Sequence, residues 1–290
     1  MQNFGKVAVL MGGFSSEREV SLSSGEGIVE ALRSKGIDAH PFDPKETPLS
    51  ELKAQGFQTA FNILHGTYGE DGAVQGALEL MGMPYTGSGV AASALGMDKY
   101  RCKLIWSALG LPVPEFAVLH EDSDFDAIEA ELGLPMFVKP ANEGSSVGVV
   151  KVKEAGTLKA VYDELKHMRG EIIAERFIGG GEYSCSVLNN QALPSIQIIP
   201  ATEFYDYEAK YLRDDTVYRC PSDLNESDEA LMRSLAVKAA KAIGAYGCSR
   251  VDFLKDGTGK LYILEVNTLP GMTSHSLVPK AAAQVGMSYA

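Results

Sequence analysis

The stretch from Arg250 to Asn267 constrains the fold more than any other part of the chain. Two bulky apolar runs flank the turn Lys255–Lys260, whose Asp256-Gly257 pair is a hairpin signal. Their apolar character implies that both faces of the hairpin are covered. Yet Asp252 sits inside the first run, and Glu265 and Asn267 close the second. Residues i and i+2 of a strand share a face, so Glu265 and Asn267 point the same way. A hairpin returns Asp252 opposite them. Three oxygen donors on one wall, two of them anionic, suit Mg²⁺ or Mn²⁺ bridging nucleotide phosphates. The other reading is a polar strand end with solvated carboxylates. Against it stands the cost of burying a carboxylate that is neither paired nor metal-bound.

At 290 residues the chain is long enough for two or three domains. Its net charge of −12 and pI near 4.9 argue against nucleic acid or an anionic membrane as partner. A local basic pocket for a nucleotide remains compatible with that balance. Cys102, Cys185, Cys220 and Cys248 form no Cys-x-x-Cys pair, which disfavours zinc and a disulfide framework and fits a reducing compartment. No run approaches the length of a membrane span, and the first residues do not read as a signal peptide. A cytoplasmic protein is expected.

The N-terminal part reads as α/β. An apolar strand over 6–11 ends at Gly12-Gly13. A helix follows to about Lys35-Gly36, with Ser15 or Ser16 as N-cap and Glu17 and Glu19 in its first turn. Glu17 reads either as a partner of the helix dipole or as a carboxylate at the sheet's ligand edge, awaiting an amine. A second strand over 59–64 ends in His65-Gly66, a helix spans about 70–81, and 84–88 is a third strand end. Strand, turn and helix in repetition imply a parallel sheet within residues 1–87. His65 reads as a structural histidine or a catalytic one.

Beyond it the pattern predicts a helix over 97–110, a strand over 115–119, a helix over 122–132 and a strand over 134–140 with Lys139 at its exit. A lysine in a short apolar strand needs a partner. The loop 141–148 is rich in Gly and Ser; it reads as a hairpin turn or as a loop presenting N–H groups to phosphate. Strands are expected over 149–152, 171–178, 183–188 and 193–199, with a helix over 155–167. Residues 203–215 have no period and read as a lid. A helix over 227–243 is expected to turn Leu231, Leu235, Val237, Ala239 and Ile243 inward, and another helix to start near Tyr289-Ala290. The expected division is 1–87, an α/β domain, then 88–180 and 181–290, the second carrying the lid.

Together these stretches resemble the D-alanine–D-alanine ligases of the ATP-grasp superfamily. The motifs are Gly12-Gly13 with Ser15, Glu17-Arg18-Glu19-Val20-Ser21; His65-Gly66 with Gly69-Glu70-Asp71-Gly72; Met97-Asp98-Lys99; and Lys139-Pro140 with Glu143 to Gly148. They continue with Tyr205 to Tyr211, Arg250-Val251-Asp252, Glu265 to Thr268, and Pro270-Gly271. The departure is at the end, where the family usually carries a further short helix and this sequence stops at Ala290.

The resemblance implies an ATP-grasp fold, mixed α/β, behind a Rossmann-like N-terminal domain. It implies joining of two D-alanines through a D-alanyl phosphate, with release of ADP and phosphate, for peptidoglycan precursors. By that resemblance Lys99, Lys139 and Lys210 hold the phosphates of ATP. Glu175, Phe177, Ile178 and Glu182 lie at adenine and ribose. Asp252, Glu265 and Asn267 hold two Mg²⁺ or Mn²⁺ ions. Arg250 reaches the transferred phosphoryl group, and the Gly271 amide is an oxyanion donor. Glu17, with Ser145 and Tyr211, meets the first ammonium group. His65 lies near the first carboxylate, and Ser276 and Leu277 seat the second D-alanine. The resemblance further suggests a homodimer through the N-terminal region, and Tyr211 favours a dipeptide over a D-alanyl-D-lactate ester. A non-catalytic shell of the same fold would lack metal donors or Arg250, and neither is missing.

Overall fold

The structure is a computed structural model and describes residues 4–144, 147–201, 215–273 and 276–290. Its N-terminal part runs β1 (Val7–Leu10), α1 (Arg18–Ser34), β2 (Ala39–Phe42), α2 (Glu51–Ala54), β3 (Thr59–Asn62) and α3 (Ala73–Leu80). The strands form a parallel sheet in the order β2-β1-β3, with Val7 paired to Ala39 on one side and Thr59 on the other. Each face of β1 is sealed by its own apolar cluster, one around Leu10, Leu52 and Leu78, the other around Val9, Ile28 and Ile63. This explains the unbroken apolar run of β1.

The sheet's third strand is not the segment 84–88. Tyr85 makes a single bridge to Ala60, whereas 39–42 forms the edge. Pro41 hides that strand in the sequence, because proline cannot donate to a ladder; an edge position tolerates it. The cap of α1 also differs from expectation. Glu17 itself is the N-cap residue, and the Ser15 hydroxyl accepts from the Glu17 N–H at 3.2 Å.

Two short helices, α4 (Val90–Gly96) and α5 (Lys99–Ala108), lead into the second sheet. The Asp98 carboxylate caps α5 by accepting from the Arg101 N–H at 2.9 Å. Trp106 is fully buried and donates its indole N–H to the Ala239 carbonyl at 3.1 Å, which ties α5 to the C-terminal half. Then follow β4 (Phe116–Leu119), α6 (Phe125–Leu132), β5 (Met136–Pro140), β6 (Val150–Val152), α7 (Leu158–Leu165) and β7 (Ile172–Arg176). The strands make an antiparallel sheet, β4-β7-β5-β6, with α6 and α7 packed on one face.

The last part holds β8 (Gly180–Leu188), β9 (Gln191–Ala192), β10 (Ile196–Ile199), β11 (Val217–Arg219), α8 (Glu226–Ala242), β12 (Cys248–Asp256), β13 (Leu261–Asn267) and α9 (Leu277–Gln284). Its sheet runs β11-β10-β8-β12-β13, with β9 on β8. The side of α8 that meets this sheet is Met232, Leu235, Ala236, Ala239 and Ala240. Leu231, expected inward, is half exposed. Counting by 3.6 from Met232 reproduces the buried stripe, and its alanines are small enough to be overlooked. The final helix likewise lies earlier than expected. Residues 285–290 are not helical, and the Tyr289 hydroxyl donates to the Met272 carbonyl.

Candidate active site

The hairpin β12–β13 forms one wall of the cleft. Its register sets Arg250 opposite Asn267 and Asp252 opposite Glu265, so all four side chains leave the same face. The Asp256 carboxylate organises the turn, accepting from the N–H groups of Thr258 at 2.9 Å and Lys260 at 3.0 Å. Arg250 grips Asp252 with two nitrogens, Nε to Oδ1 at 2.9 Å and Nη2 to Oδ2 at 2.8 Å. Ser184, directly across on β8, donates to the same Oδ1 at 2.8 Å. Beyond Asp252 the pairing slips by one residue, leaving Leu264 without a partner. That bulge turns Leu264 toward the cleft beside Glu265, although alternation would send it to the other face.

The lysines come from the opposite side. Lys99 opens α5; its Nζ donates to the Glu143 carbonyl at 2.7 Å and stands 3.5 Å from Glu265 Oε2. Lys139 leaves the end of β5 and pairs with Glu175 Oε2 at 2.8 Å. Lys99, Lys139, Glu175, Glu182, Asp252 and Glu265 line one cavity of about 100 Å³, with Phe137, Val149 and Leu264 among its apolar lining. Glu175 does not offer a free carboxylate there. Lys139 takes one oxygen, and Lys103 lies 2.9 Å from the other. Burial pushes the Glu175 pKa up, but the two ammonium groups outweigh it and hold it below the usual range.

The N-terminal part closes the third side. Gly12 and Gly13 both adopt positive φ, which lets the chain turn sharply out of β1. The Ser21 hydroxyl accepts from the Gly12 N–H at 2.9 Å and donates to the Ile63 carbonyl at 2.7 Å, locking α1 to the strand ends. Arg18 and Asp43, paired at 2.6 Å, clamp the backbone of Gly13. Glu17 is thereby aimed at two loops. A Cβ on Gly66 would lie 3.1 Å from its Oε2, and one on Gly144 would lie 3.6 Å away.

His65 is buried, and its Nε2 has no hydrogen-bond partner among the described residues. Burial lowers its pKa, with Arg250 adding to the effect; Glu17 and the Leu269 backbone oppose it. An orphaned polar atom in a buried position suits a ligand group. Behind His65, Glu70 accepts from the Gly66 N–H at 2.8 Å. Burial, reinforced by the Glu17 charge, pushes its pKa up to about 8. A larger cavity of about 380 Å³ lies beyond His65, but Phe14, Leu49, Leu64, Tyr68 and Val74 line it without a charged side chain.

The loop after β13 completes the cleft. Asn267 Oδ1 accepts from the Leu269 N–H at 3.0 Å, and the Met272 N–H donates to Ser24 Oγ on α1 at 3.1 Å. A Cβ on Gly271 would stand 3.3 Å from Ser276 Oγ. The Ser276 hydroxyl accepts from the Thr273 N–H at 2.9 Å. Leu277 is claimed by the core, in a cluster with Leu193, Ile196 and Ile198, so only its backbone N–H at the start of α9 can serve a ligand. Phe177 packs between Phe137 and Lys151, and neither it nor the buried Ile178 lines the cavity. Ser145, Lys210 and Tyr211 lie outside the described residues.

Among the described residues no group of three or more His, Cys, Asp or Glu is placed to hold a metal ion. Two carboxylates and an amide oxygen nevertheless stand on one wall. Mg²⁺ ordinarily takes one or two carboxylates together with substrate phosphates. The donor set therefore fits an ion shared with a nucleotide rather than a cage built by protein alone. Sequence reasoning assigned no site role to Lys103, Phe137, Ser184 or Leu264. Only the lysine carried a signal, as a cation on the apolar side of its helix.

The family description "D-ala D-ala ligase C-terminus" matches residues 105–290, and "D-ala D-ala ligase N-terminus" matches 44–88. The chain is 81% identical over 291 residues to "D-alanine--D-alanine ligase" of Neisseria meningitidis serogroup B, covering 100% of this chain and 96% of that one. It resembles the crystal structure of D-alanine--D-alanine ligase from Bacillus anthracis complexed with ATP, at TM-score 0.84 and 32% identity, over 98% of this chain and 93% of that one. VanG D-Ala:D-Ser ligase from Enterococcus faecalis is similar at TM-score 0.85 and 31% identity, over 99% and 96%.

Proposed function

This chain belongs to the D-alanine–D-alanine ligase family, and from that premise we propose how its residues divide the reaction among them. The fold is ATP-grasp, and the protein is a ligase that uses ATP to join two D-alanines for cell-wall synthesis. The observation that carries the assignment of roles is that Asp252 and Glu265 line one cavity with Lys99 and Lys139, while Arg250 and Asn267 extend the same face of the hairpin.

In this reading ATP lies between the two antiparallel sheets. Lys99 and Lys139 neutralise its phosphates, joined by Lys210. Adenine and ribose occupy the end lined by Phe137, Val149 and Glu182, with Phe177 and Ile178 supporting from behind. Asp252, Glu265 and Asn267 would hold two Mg²⁺ or Mn²⁺ ions, which supply positive charge to the phosphate oxygens. Glu17, with Ser145 and Tyr211, anchors the ammonium of the first D-alanine, and His65 Nε2 meets its carboxylate. That carboxylate attacks the γ-phosphorus, giving ADP and a D-alanyl phosphate. Phosphoryl transfer of this kind asks the protein for positioning and charge rather than covalent chemistry.

The second D-alanine sits with its carboxylate at Ser276 and the Leu277 N–H. Its amine, once deprotonated, attacks the acyl carbon. The C–N bond forms, the tetrahedral oxyanion draws on Arg250 and the Gly271 N–H, and phosphate leaves. We further propose the division into 1–87, 88–180 and 181–290, a cytoplasmic location and a homodimer. No helix among the described residues is long and apolar enough to cross a membrane.

The test is a product assay with ATP, Mg²⁺ and D-alanine as sole amino acid. D-alanyl-D-alanine and phosphate should appear in equal amounts. Phosphate release that requires D-serine or D-lactate as second substrate would overturn the dipeptide assignment.

A further inference from the structure

Lys103 has no part in the roles above, yet it is fully buried. It lies on α5 one turn beyond Lys99, on the side away from solvent. Its Nζ stands 2.9 Å from Glu175 Oε1, while Lys139 Nζ stands 2.8 Å from Oε2. The Lys103 contact is not aligned as a hydrogen bond, and neither Lys103 Nζ nor Glu175 Oε1 finds another partner among the described residues. Coulomb attraction does not require that alignment. The Phe116 ring, 5.7 Å away, covers the ammonium group. Phe116 on β4 and Phe137 on β5 both sit directly opposite Glu175, so the carboxylate is walled in on each side.

Buried ionic triads add little stability over apolar side chains of the same volume, so folding alone does not account for this one. We propose that Lys103 is a positioning residue for the nucleotide: by holding one oxygen of Glu175, it leaves a surplus positive charge that Lys139 presents to the phosphates. This rests on the ATP reading of the cavity. With Lys103 in place, one anion lies between two cations. Without it, Glu175 and Lys139 make a neutral pair, and Lys139 is drawn toward the carboxylate and away from the cleft. Burial lowers the Lys103 pKa; Glu175 and, more distantly, Glu265 oppose that, while Lys139 adds to it.

The test compares ATP with adenosine on the full chain by calorimetric titration. Lys103→Met removes the charge and keeps most of the volume. One charge acting across the cleft should raise the Kd for ATP about tenfold or more and leave that for adenosine within about twofold. Lys103→Arg keeps the charge and should keep the wild-type ratio of the two affinities. If ATP and adenosine weaken together in Lys103→Met, or if neither weakens, the proposal is overturned. Should that variant not fold, Lys103→Gln is read against the same ratio. A wild-type protein that binds neither ligand overturns the nucleotide reading of the cavity, and the role of Lys103 falls with it. Wild-type binding of ATP with unchanged variants overturns Lys103 alone.

Discussion

Removing Arg250 separates charge stabilisation from nucleotide binding. In Arg250→Ala the three bonds to Asp252, at 2.9, 3.2 and 2.8 Å, disappear, while Ser184 still donates to that carboxylate. Lys99 and Lys139 remain, so the ground state of bound ATP keeps its main cations. What goes is a guanidinium beside the oxygens on which charge develops. A unit charge about 4 Å away, at an effective dielectric near 20, is worth roughly 4 kcal/mol. Expressed only in the transition state, that is about a thousandfold in kcat. Arg250→Lys should recover part of the loss, since the charge returns without the two-pronged geometry. Steady-state ADP release measures kcat, and calorimetry measures the Kd for ATP. A kcat within about tenfold of wild type, or a loss seen mainly in ATP affinity, would refute the reasoning.

Two further outcomes follow from the same wall. Glu265→Gln removes one of the two carboxylates, so the Mg²⁺ concentration needed for half-maximal ATP binding should rise about tenfold; an unchanged Mg²⁺ titration would count against Glu265 as a metal donor. Glu70→Gln tests the buried carboxyl. The folded protein keeps the Glu70 proton up to about pH 8, whereas the unfolded chain releases it near 4.5. Wild-type stability relative to the variant should therefore fall as pH rises through that window, by roughly 4 kcal/mol between pH 5 and 8.5. Denaturant melts at pH 5 and 8.5 give this difference, and parallel behaviour of the two proteins would show that Glu70 ionises freely.

Much of this was legible from residue order. The Asp-Gly turn and the period of two were enough to place Asp252 against Glu265 and to put Asn267 on the same wall. Lys139 announced a partner because it stood in an apolar strand, and the partner is Glu175. Other features were hidden for identifiable reasons. Pro41 disguised an edge strand, and alanine disguised the inward face of α8. Leu277 read as part of a substrate seat, but the core around Ile196 and Ile198 takes its side chain. Leu264 could not be found by alternation, because the bulge that re-aims it depends on how two strands pair.

Residue order by itself determined the local chemistry: which strands turn, which positions carry oxygen donors, and where glycine permits a sharp exit. Those depend on neighbours within a few residues, where spacing translates directly into geometry. The tertiary structure alone decided which charges meet. Lys103, Lys139 and Glu175 come from a helix and two strands, and nothing in their separation along the chain foretells one carboxylate between two ammonium groups. The same holds for Glu70, whose proton is retained because burial and a distant Glu17 both oppose its charge. Electrostatic energies depend on distance in space and on exclusion of water, and packing sets both.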